Sequence, residues 1–365
     1  MSYKIPQLIP YVGEEELSNL KKVIETKWIT EGPFTNELID LIKLNTGAKF
    51  AILTNNGTLA LYLALQTIGI KNGDEVIVSD FTFNASGSSI VFANGTPVFV
   101  DVNEDDFNID VKKIEEKITK NTKAIMPVHI YGQSADMDSV KEIAKKYDLF
   151  VIEDAAQGFG VNYKGQHLGT IGDMGIISFF ADKTITMGEG AVILTNNDNL
   201  FAKLIYLRNQ GRENSGTFIH EELGMNFRVT DLQSAIGVAQ IKKFQKIKAR
   251  KLYNYNLYKS LLRNVEEITF MTVVEYSNLV PFRAAIKSNR KEELMNFLDK
   301  HGIQTRGFFY PLHRQPCFHY LNYSLDEYPI ANKLFDEGIC LPVYCDLKEE
   351  EIEFICDTIK KFFTI

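Results

Sequence analysis

The sequence predicts an α/β protein in which helices sandwich a mainly parallel sheet, with a smaller α+β domain at the C-terminal end. First, strand-like and helix-like segments alternate between residues 14 and 196. Second, residues 124–129, 137–147 and 150–153 read as one strand–helix–strand unit, which requires two parallel strands. Third, the pattern changes after Val265, where short strands and helices follow in a different order.

The N-terminal elements are justified by their apolar spacing and their boundary residues. Residues 14–26 have the pattern of a helix, and residues 59–65 form a strongly helical run. Residues 75–79 read as a strand. Two further strands are predicted at 175–181 and 191–195, joined by a turn bracketed by glycines.

The C-terminal elements begin with a long helical pattern at 230–262, which fits one helix or two joined helices. Beyond it we expect a strand at 281–286, a helix at 291–301, a strand at 303–310 and an amphipathic helix at 347–363. The loop at 211–223, rich in Gly, Glu and Asn, is the segment we expect to be mobile. We therefore predict a large domain at residues 1–245 and a small C-terminal domain at 246–365.

The composition limits the classes of function. A chain of 365 residues, 45% of them hydrophobic, can bury a substantial core. The net charge of −7 provides no basic field for nucleic acid. No apolar run approaches membrane length, and the N-terminus lacks a basic segment followed by an apolar one, so we expect a cytoplasmic protein without a membrane partner.

Cysteine spacing gives no indication of a metal site. The four cysteines lie near the C-terminal end without a Cys-x-x-Cys pair, and the six histidines do not combine with them at zinc-like spacing. We predict no metal, and buried or free thiols in a reducing compartment. The cysteines are Cys317, Cys340, Cys345 and Cys356.

Lys183 is the strongest chemical signal in the chain. It follows the predicted strand at 175–181 and precedes the glycine-bracketed turn, so its amine lies at the end of buried structure. Desolvation disfavours an ammonium ion and leaves a neutral amine that can attack a carbonyl. An aldehyde cofactor such as pyridoxal phosphate (PLP) would be its partner. The alternative is a surface lysine that closes a hairpin.

Other segments offer the remaining parts of a PLP site. Gly57 and Thr58 open the helical run at 59–65, where Thr58 is a suitable N-cap and free N–H groups could hold a phosphate. Asp154 ends a strand, where its carboxylate would face a pyridinium nitrogen, and Gln157 could bond the ring oxygen. Phe83 could stack on the ring. The alternatives are an ordinary capped helix, an N-cap acid and a core aromatic.

An ordered set of motifs identifies the chain as similar to a known family. It includes Trp-Ile-Thr-Glu-Gly-Pro at 28–33, Asn-Gly-Thr at 56–58, Glu-Asp-Ala-Ala-Gln at 153–157, the lysine segment, and Gly-Met-Asn-Phe-Arg at 224–228. Together these resemble the sugar-nucleotide aminotransferases of the DegT/StrS group, which are fold-type I PLP enzymes. The resemblance covers nearly the whole chain.

The resemblance implies roles for particular residues. Lys183 would hold the cofactor, and Asp154 would face its pyridine nitrogen. Asn226 would reach the phosphate of the other subunit, which implies a homodimer with shared active sites. The other implied cofactor contacts are Gln157 at the ring oxygen, Phe83 on the ring face, and Gly57, Thr58 and Ser178 at the phosphate.

The resemblance also implies a substrate class. Relatives with histidine at the lysine position dehydrate sugars, so Lys183 favours transamination with L-glutamate as donor. The residues after the lysine resemble enzymes that aminate C4. Residues 305–313 resemble enzymes acting on GDP-4-keto-6-deoxymannose for surface polysaccharides.

Alternatives remain in a 3-keto or other sugar-nucleotide aminotransferase, a PLP-dependent sugar dehydratase, and a non-catalytic PLP-binding regulator. Two of the candidate substrate contacts have alternatives: Trp28, the single tryptophan, could belong to the core, and His313 could make no contact with the sugar. The candidate substrate contacts are Trp28, Thr30, Arg228, Arg306, Tyr310 and His313.

Overall fold

The structure is a computed structural model that describes residues 3–213, 216 and 218–364. In that part of the chain it confirms an α/β architecture with a large sheet and a smaller one. The strands are β1 (Phe50–Thr54), β2 (Glu75–Ser79), β3 (Thr96–Val100), β4 (Thr122–Met126), β5 (Phe150–Asp154), β6 (Asn162–Tyr163), β7 (Gln166–His167), β8 (Met174–Ser178), β9 (Ala191–Thr195), β10 (Thr269–Phe270), β11 (Ala284–Lys287), β12 (Arg306–Gly307) and β13 (Gly338–Leu341).

Helices connect most of these strands. The α-helices are α1 (Glu14–Thr26), α2 (Pro33–Thr46), α3 (Gly57–Thr67), α4 (Asn84–Phe92), α5 (Met137–Tyr147), α6 (Asp198–Arg208), α7 (Asp231–Lys242), α8 (Phe244–Leu261), α9 (Lys291–Lys300), α10 (Pro329–Glu337) and α11 (Glu349–Thr364). Short 3₁₀ helices lie at Val111–Lys113, Glu115–Lys117, Ile130–Gly132, Leu312–Arg314 and Pro316–Leu321. The predicted bounds of α1 and α5 are confirmed, and the helical pattern at 230–262 is two joined helices, α7 and α8.

The large sheet is mainly parallel, as predicted. Its strand order is β1-β9-β8-β5-β4-β2-β3. Only β9, among the strands that the structure describes in this sheet, runs antiparallel to its neighbours, β1 and β8. The carboxyl ends of β1, β2, β5 and β8 therefore lie along the same edge, which is where ligands bind in open α/β sheets.

Both faces of the large sheet are buried. Along β2, Val76 and Val78 belong to one hydrophobic cluster, whereas Ile77 between them belongs to a second. Because successive side chains of a strand point to opposite faces, the two clusters occupy the two sides of the sheet. A sheet covered on both faces requires near-continuous apolar strands, which explains the runs seen in the sequence.

The C-terminal part forms a four-stranded antiparallel sheet in the order β10-β11-β13-β12. The predicted strand at 303–310 is wrong in length, because only Arg306 and Gly307 pair with β13. Leu294, Ile339 and Ile355 of this region lie in the same hydrophobic cluster as one face of the large sheet. The domain boundary between residues 245 and 246, at the start of α8, stays a prediction.

The expected mobile loop at 211–223 is only partly described, since residues 214, 215 and 217 lie outside the described residues. Phe218 and Leu223, within its described part, are almost fully exposed. None of the helices in the described ranges is long and apolar enough to cross a membrane. The cytoplasmic location stays a prediction.

Candidate active site

A cavity of about 670 Å³ lies at the carboxyl edge of the large sheet. Its wall combines the start of α3, the loops after β2, β5 and β8, and the edge of the small sheet around Arg283 and Arg306. The structure therefore brings together most of the residues predicted for a PLP site. Those in the wall are Gly57, Thr58, Phe83, Asp154, Gln157, Ser178, Lys183 and Arg306.

Lys183 lies in the turn between β8 and β9, and its side chain is 16% exposed. Its amine nitrogen is 4.4 Å from the centroid of the Phe282 ring and 3.8 Å from Oδ1 of Asp182. Burial lowers the pKa of Lys183, although the Asp182 carboxylate opposes this effect. The residue is thus a largely buried amine at the wall of the cavity, and the alternative of a surface lysine is wrong.

Asp154 ends β5 with a buried carboxylate. Ser86 Oγ donates to its Oδ2 at 2.6 Å, and the backbone N–H of Ala156 donates to its Oδ1 at 3.2 Å. These two bonds fix the carboxylate on the cavity wall without neutralising it. Ser86 was missed by the sequence reasoning, because it lies 68 positions away along the chain.

Gln157 and Phe83 complete the wall around the carboxylate. Oε1 of Gln157 accepts the backbone N–H of Tyr131 at 2.7 Å, so its amide NH₂ is the end that can donate to a ligand oxygen. Phe83 is 60% exposed and its ring lies 6.1 Å from that of Phe309. It is therefore a wall residue of the cavity, and the alternative of a core aromatic is wrong.

The start of α3 faces Ser178 across the cavity. A Cβ atom added at Gly57 would lie 3.3 Å from Cβ of Ser178, so only glycine leaves this space open. The helix cap is Asn56, whose Oδ1 accepts the backbone N–H of Leu59 at 3.0 Å. The predicted cap at Thr58 is wrong, because Asn56 holds the extended cap conformation and places Thr58 in the first turn. Unpaired N–H groups of that turn favour an anion.

A buried carboxylate behind the site fastens the loop after β7. Glu153 accepts the backbone N–H groups of Gly169, Ile171 and Gly172, each at 2.7 Å, and lies 3.1 Å from Nε2 of His129. Nδ1 of His129 accepts the backbone N–H of Ala135, which puts the imidazole proton on Nε2, facing the carboxylate. Burial raises the pKa of Glu153, but these hydrogen bonds outweigh it and the net direction is downward.

Arg283 and Asp182 form an ion pair in the cavity wall that no sequence motif predicts. Nη2 of Arg283 donates to Oδ2 of Asp182 at 2.5 Å, although 101 positions separate the two residues. The one signal in the sequence is an arginine inside an apolar strand pattern at 281–286. Arginine and aspartate are rarely buried unless they are paired. The ion pair therefore explains how both side chains can be largely buried in the cavity wall.

A second buried lysine lies behind the first. Lys251 of α8 has its amine 3.4 Å from Oγ1 of Thr184, the residue after Lys183. Burial lowers the pKa of Lys251 to about 7, and the nearby Arg283 adds to this effect. Lys251 lies outside the cavity wall, where the positively charged side chains besides Lys183 are Arg283 and Arg306.

Comparison with known proteins decides the family. Residues 10–360 match the model of the DegT/DnrJ/EryC1/StrS aminotransferase family. The chain belongs to this family. It is 36% identical to GDP-perosamine synthase of Escherichia coli O157:H7, over 99% of each chain. It is also 35% identical to the pleiotropic regulatory protein of Geobacillus stearothermophilus, over 100% of this chain and 97% of that one.

A solved structure of a putative sugar aminotransferase shares the fold. The PLP form of the putative sugar aminotransferase Spr1654 from Streptococcus pneumoniae superposes with a TM-score of 0.94, at 27% identity, over 99% of this chain and 98% of that one. This confirms the predicted PLP aminotransferase fold. The protein is accordingly a PLP-dependent sugar aminotransferase of this family.

The residues of the cavity fit the cofactor of this family. A glycine-opened helix start suits the phosphate, and the buried carboxylate of Asp154 suits a protonated pyridine nitrogen. The amine of Lys183 suits the aldehyde. Gln157 and Phe83 offer a donor for the ring oxygen and a flat face for the ring.

His313 is not brought into the cavity. Its ring is fully buried, with Nδ1 2.7 Å from Oδ2 of Asp80 and Nε2 3.0 Å from the backbone oxygen of Leu325. The carboxyl group and the carbonyl oxygen facing the two ring nitrogens favour the protonated imidazole, although burial raises the pKa of Asp80. Burial lowers the pKa of His313, but the hydrogen bond to Asp80, the charge of Asp80 and the bond to the Leu325 carbonyl together outweigh burial, and the net direction is upward. The non-contacting alternative fits this placement.

The other predicted contacts also lie outside the cavity wall of their own chain. Tyr310 packs its ring perpendicular to that of Phe335. Nη1 of Arg228 donates to Oδ1 of Asn209 at 3.0 Å. Trp28, Thr30 and Asn226 are exposed, so the core role weighed for the tryptophan is wrong.

Proposed function

We propose that this enzyme transfers the amino group of L-glutamate to C4 of a nucleotide-linked 4-keto-6-deoxyhexose. The substrate we favour is GDP-4-keto-6-deoxymannose, which would give GDP-perosamine for surface polysaccharide biosynthesis. The observation that carries the aminotransferase chemistry is the buried Lys183 amine in the same cavity as Asp154. The observation that supports the substrate is the full-length similarity to GDP-perosamine synthase.

The residues of the cavity divide the chemistry between them. When bound, PLP supplies a ring that accepts electrons from the carbon carrying the amino group. Lys183, with its lowered pKa, takes the proton from that carbon and would deliver it to the aldehyde carbon of the cofactor, a role that typically contributes about 10²–10⁴-fold. Asp154, fixed by Ser86, keeps the ring nitrogen protonated.

A homodimer with shared active sites is part of this proposal. Asn226 is exposed on its own subunit and lies outside the cavity wall, as a residue that serves a neighbouring site would. Trp28, Phe218 and Leu223 expose large apolar side chains, which mark a surface suited to a partner subunit. Mixing inactive K183A subunits with inactive N226A subunits should restore part of the activity. No recovery after exchange of subunits would contradict shared sites.

The absorbance of the purified, PLP-supplied protein tests the chemistry. We expect a visible band from cofactor held by Lys183, and its replacement by a band near the ultraviolet after addition of L-glutamate. K183A should lose both the visible band and turnover. K164A is a matched control, because Lys164 is an exposed lysine paired with Asp138.

The same sample identifies the sugar. GDP-linked, dTDP-linked and UDP-linked keto sugars are added in turn to the glutamate-treated enzyme, and the product is identified by mass spectrometry and NMR. Return of the visible band with GDP-4-keto-6-deoxymannose, and a product aminated at C4, would support the proposal. Return only with a 3-keto sugar would favour that alternative. A protein that never forms the band would bring the non-catalytic regulator forward.

A further inference from the structure

Two guanidinium groups converge on one carboxylate in the cavity wall. Arg283 is 7% exposed and donates to Oδ2 of Asp182 at 2.5 Å. Nη1 of Arg306, which is more exposed, lies 3.8 Å from the same oxygen. Each arginine comes from the small sheet, whereas Asp182 precedes the reactive lysine on the large one. The pair therefore joins the two halves of the cavity.

Asp182 satisfies these arginines only in part. Its Oδ1 is buried and has no hydrogen-bond partner among the residues that the structure describes. Arg283 carries five N–H donors, and Asp182 is its one hydrogen-bond acceptor within the described ranges. Donors on both arginines thus remain for a second carboxylate, and only one oxygen of Asp182 is hydrogen-bonded, while the other lies 3.8 Å from the Lys183 amine.

Phe282 sets this pair beside the reactive amine. Cζ of Arg283 lies 4.1 Å from the ring centroid, and the amine nitrogen of Lys183 lies 4.4 Å from the same point. Asp182 contacts both groups, since its Oδ2 accepts from Arg283 and its Oδ1 lies 3.8 Å from the Lys183 amine, so another carboxylate in the place of Asp182 would lie beside that amine. All of these residues line one cavity.

The proposed reaction presents an electrostatic problem at this point. The amino donor has a carboxylate on the carbon that loses its amino group, whereas the sugar has neutral groups beside its ketone. An unpaired buried guanidinium would be costly whenever the sugar occupies the space. A permanently blocked guanidinium could not attract the donor.

We propose that Arg283 binds the α-carboxylate of the amino donor and that Asp182 is its exchangeable counter-ion. The donor displaces Asp182 from Arg283, and Asp182 restores the ion pair when the neutral sugar takes the same space. Arg306 adds a second positive charge at the mouth of the site. The inference rests on the proposed use of an amino-acid donor and a sugar acceptor at one cavity.

Binding of glutarate to the PLP-loaded enzyme tests the site by calorimetry. Glutarate has the two carboxylates of the donor but no amino group, so it cannot react. R283Q should weaken glutarate binding by about tenfold or more, because a charged hydrogen-bonded partner is lost. R290Q is the control, because Arg290 is exposed and pairs with Glu293 outside the cavity. Variants are compared at equal cofactor absorbance.

D182N should change the glutarate affinity in the opposite direction to R283Q. Removing the competing carboxylate should tighten glutarate binding several-fold, while slowing the half-reaction with the keto sugar. If R283Q does not fold, D182N decides alone: tighter binding supports the exchange, and unchanged or weaker binding overturns it. R283Q that folds and binds glutarate like R290Q also overturns it.

Two separate measurements distinguish a wrong carboxylate site from a wrong proposed function: glutarate binding tests the site, and the response of the cofactor band to L-glutamate tests the function. Glutarate binding is measured whether or not the enzyme uses L-glutamate. An enzyme whose cofactor band responds to L-glutamate, but whose glutarate affinity ignores Arg283 and Asp182, refutes only the carboxylate site. A cofactor band that never responds to L-glutamate refutes the proposed donor instead.

Discussion

Replacing Glu153 by glutamine removes the charge of the buried carboxylate behind the active site while keeping its shape. In the wild type, Oε1 accepts the N–H groups of Ile171 and Gly172, and Oε2 accepts those of Gly169 and the His129 ring. Glutamine has a single acceptor oxygen, and its NH₂ group can only donate. Either orientation of the amide therefore leaves two of these four donors without an acceptor.

The size of the effect follows from those two donors. Each buried donor left unsatisfied costs about 1–3 kcal/mol, so E153Q should lose about 2–6 kcal/mol. The free energy of unfolding of a typical domain is about 5–15 kcal/mol, so this loss would be a large part of it. The acid dependence should change too. The pKa of Glu153 is below its ordinary value of 4.5, so its contribution is present above that pH and is lost as the pH falls through the lower value.

Thermal unfolding followed by circular dichroism checks this expectation. E153Q should melt several degrees below wild type at pH 7, and the difference should shrink in acid. E116Q is the control, because Glu116 is exposed. Equal melting temperatures for E153Q and E116Q would refute the argument, as would a difference that grows in acid.

Three further substitutions have definite expected outcomes. G57A places a methyl group 3.3 Å from Cβ of Ser178, so its PLP affinity, measured by titration of the visible band, should fall about tenfold or more. G13A is the control, because a Cβ atom at Gly13 would meet nothing closer than 3.8 Å. S86A removes the donor at 2.6 Å from Asp154, so kcat should fall by roughly tenfold at unchanged cofactor loading, and an unchanged kcat would contradict this role. H313Q should cost about 2–5 kcal/mol, measured by urea unfolding. Because the net shift of the His313 pKa is upward, the stabilisation that its imidazolium adds is lost as the pH rises through the folded-state value, so the cost of H313Q should fall at alkaline pH; a cost that grows as the pH rises would contradict this role. Burial also raises the pKa of Asp80, so the pair weakens in acid as well.

Much of the fold follows from local sequence patterns. The predicted bounds of α5 agree with the structure, in which Asp136 caps the helix at its start and Asp148 ends it in a left-handed conformation. The strand predicted at 303–310 was too long, because pairing depends on β13, which supplies partners for only two of its residues. The cap of α3 was misplaced because Asn56 and Thr58 are both good caps, and the backbone conformation decides between them.

The sequence predicted those residues of the candidate site that lie at or just after the end of a strand. Lys183 and Asp154 follow strands whose carboxyl ends share an edge, so alternation of elements was enough to place them. Ser86 and Arg283 could not be found in this way, because their partners lie far away along the chain. The position of His313 also depends on a distant contact, since no local pattern reveals that Asp80 would hold its ring.

Glu153 and Asp154 are neighbours on β5 with opposite tasks, and this makes the strand intolerant of insertions and deletions. Asp154 faces the cavity, whereas Glu153 fastens a loop behind it. A shift of one residue in the pairing with β8 would send each carboxylate to the other's place. The loop would then lose the carboxylate that holds it, and the cavity wall would lose the carboxylate that we propose for the cofactor nitrogen. Genetic drift in this segment should therefore proceed by substitution, with its length held constant.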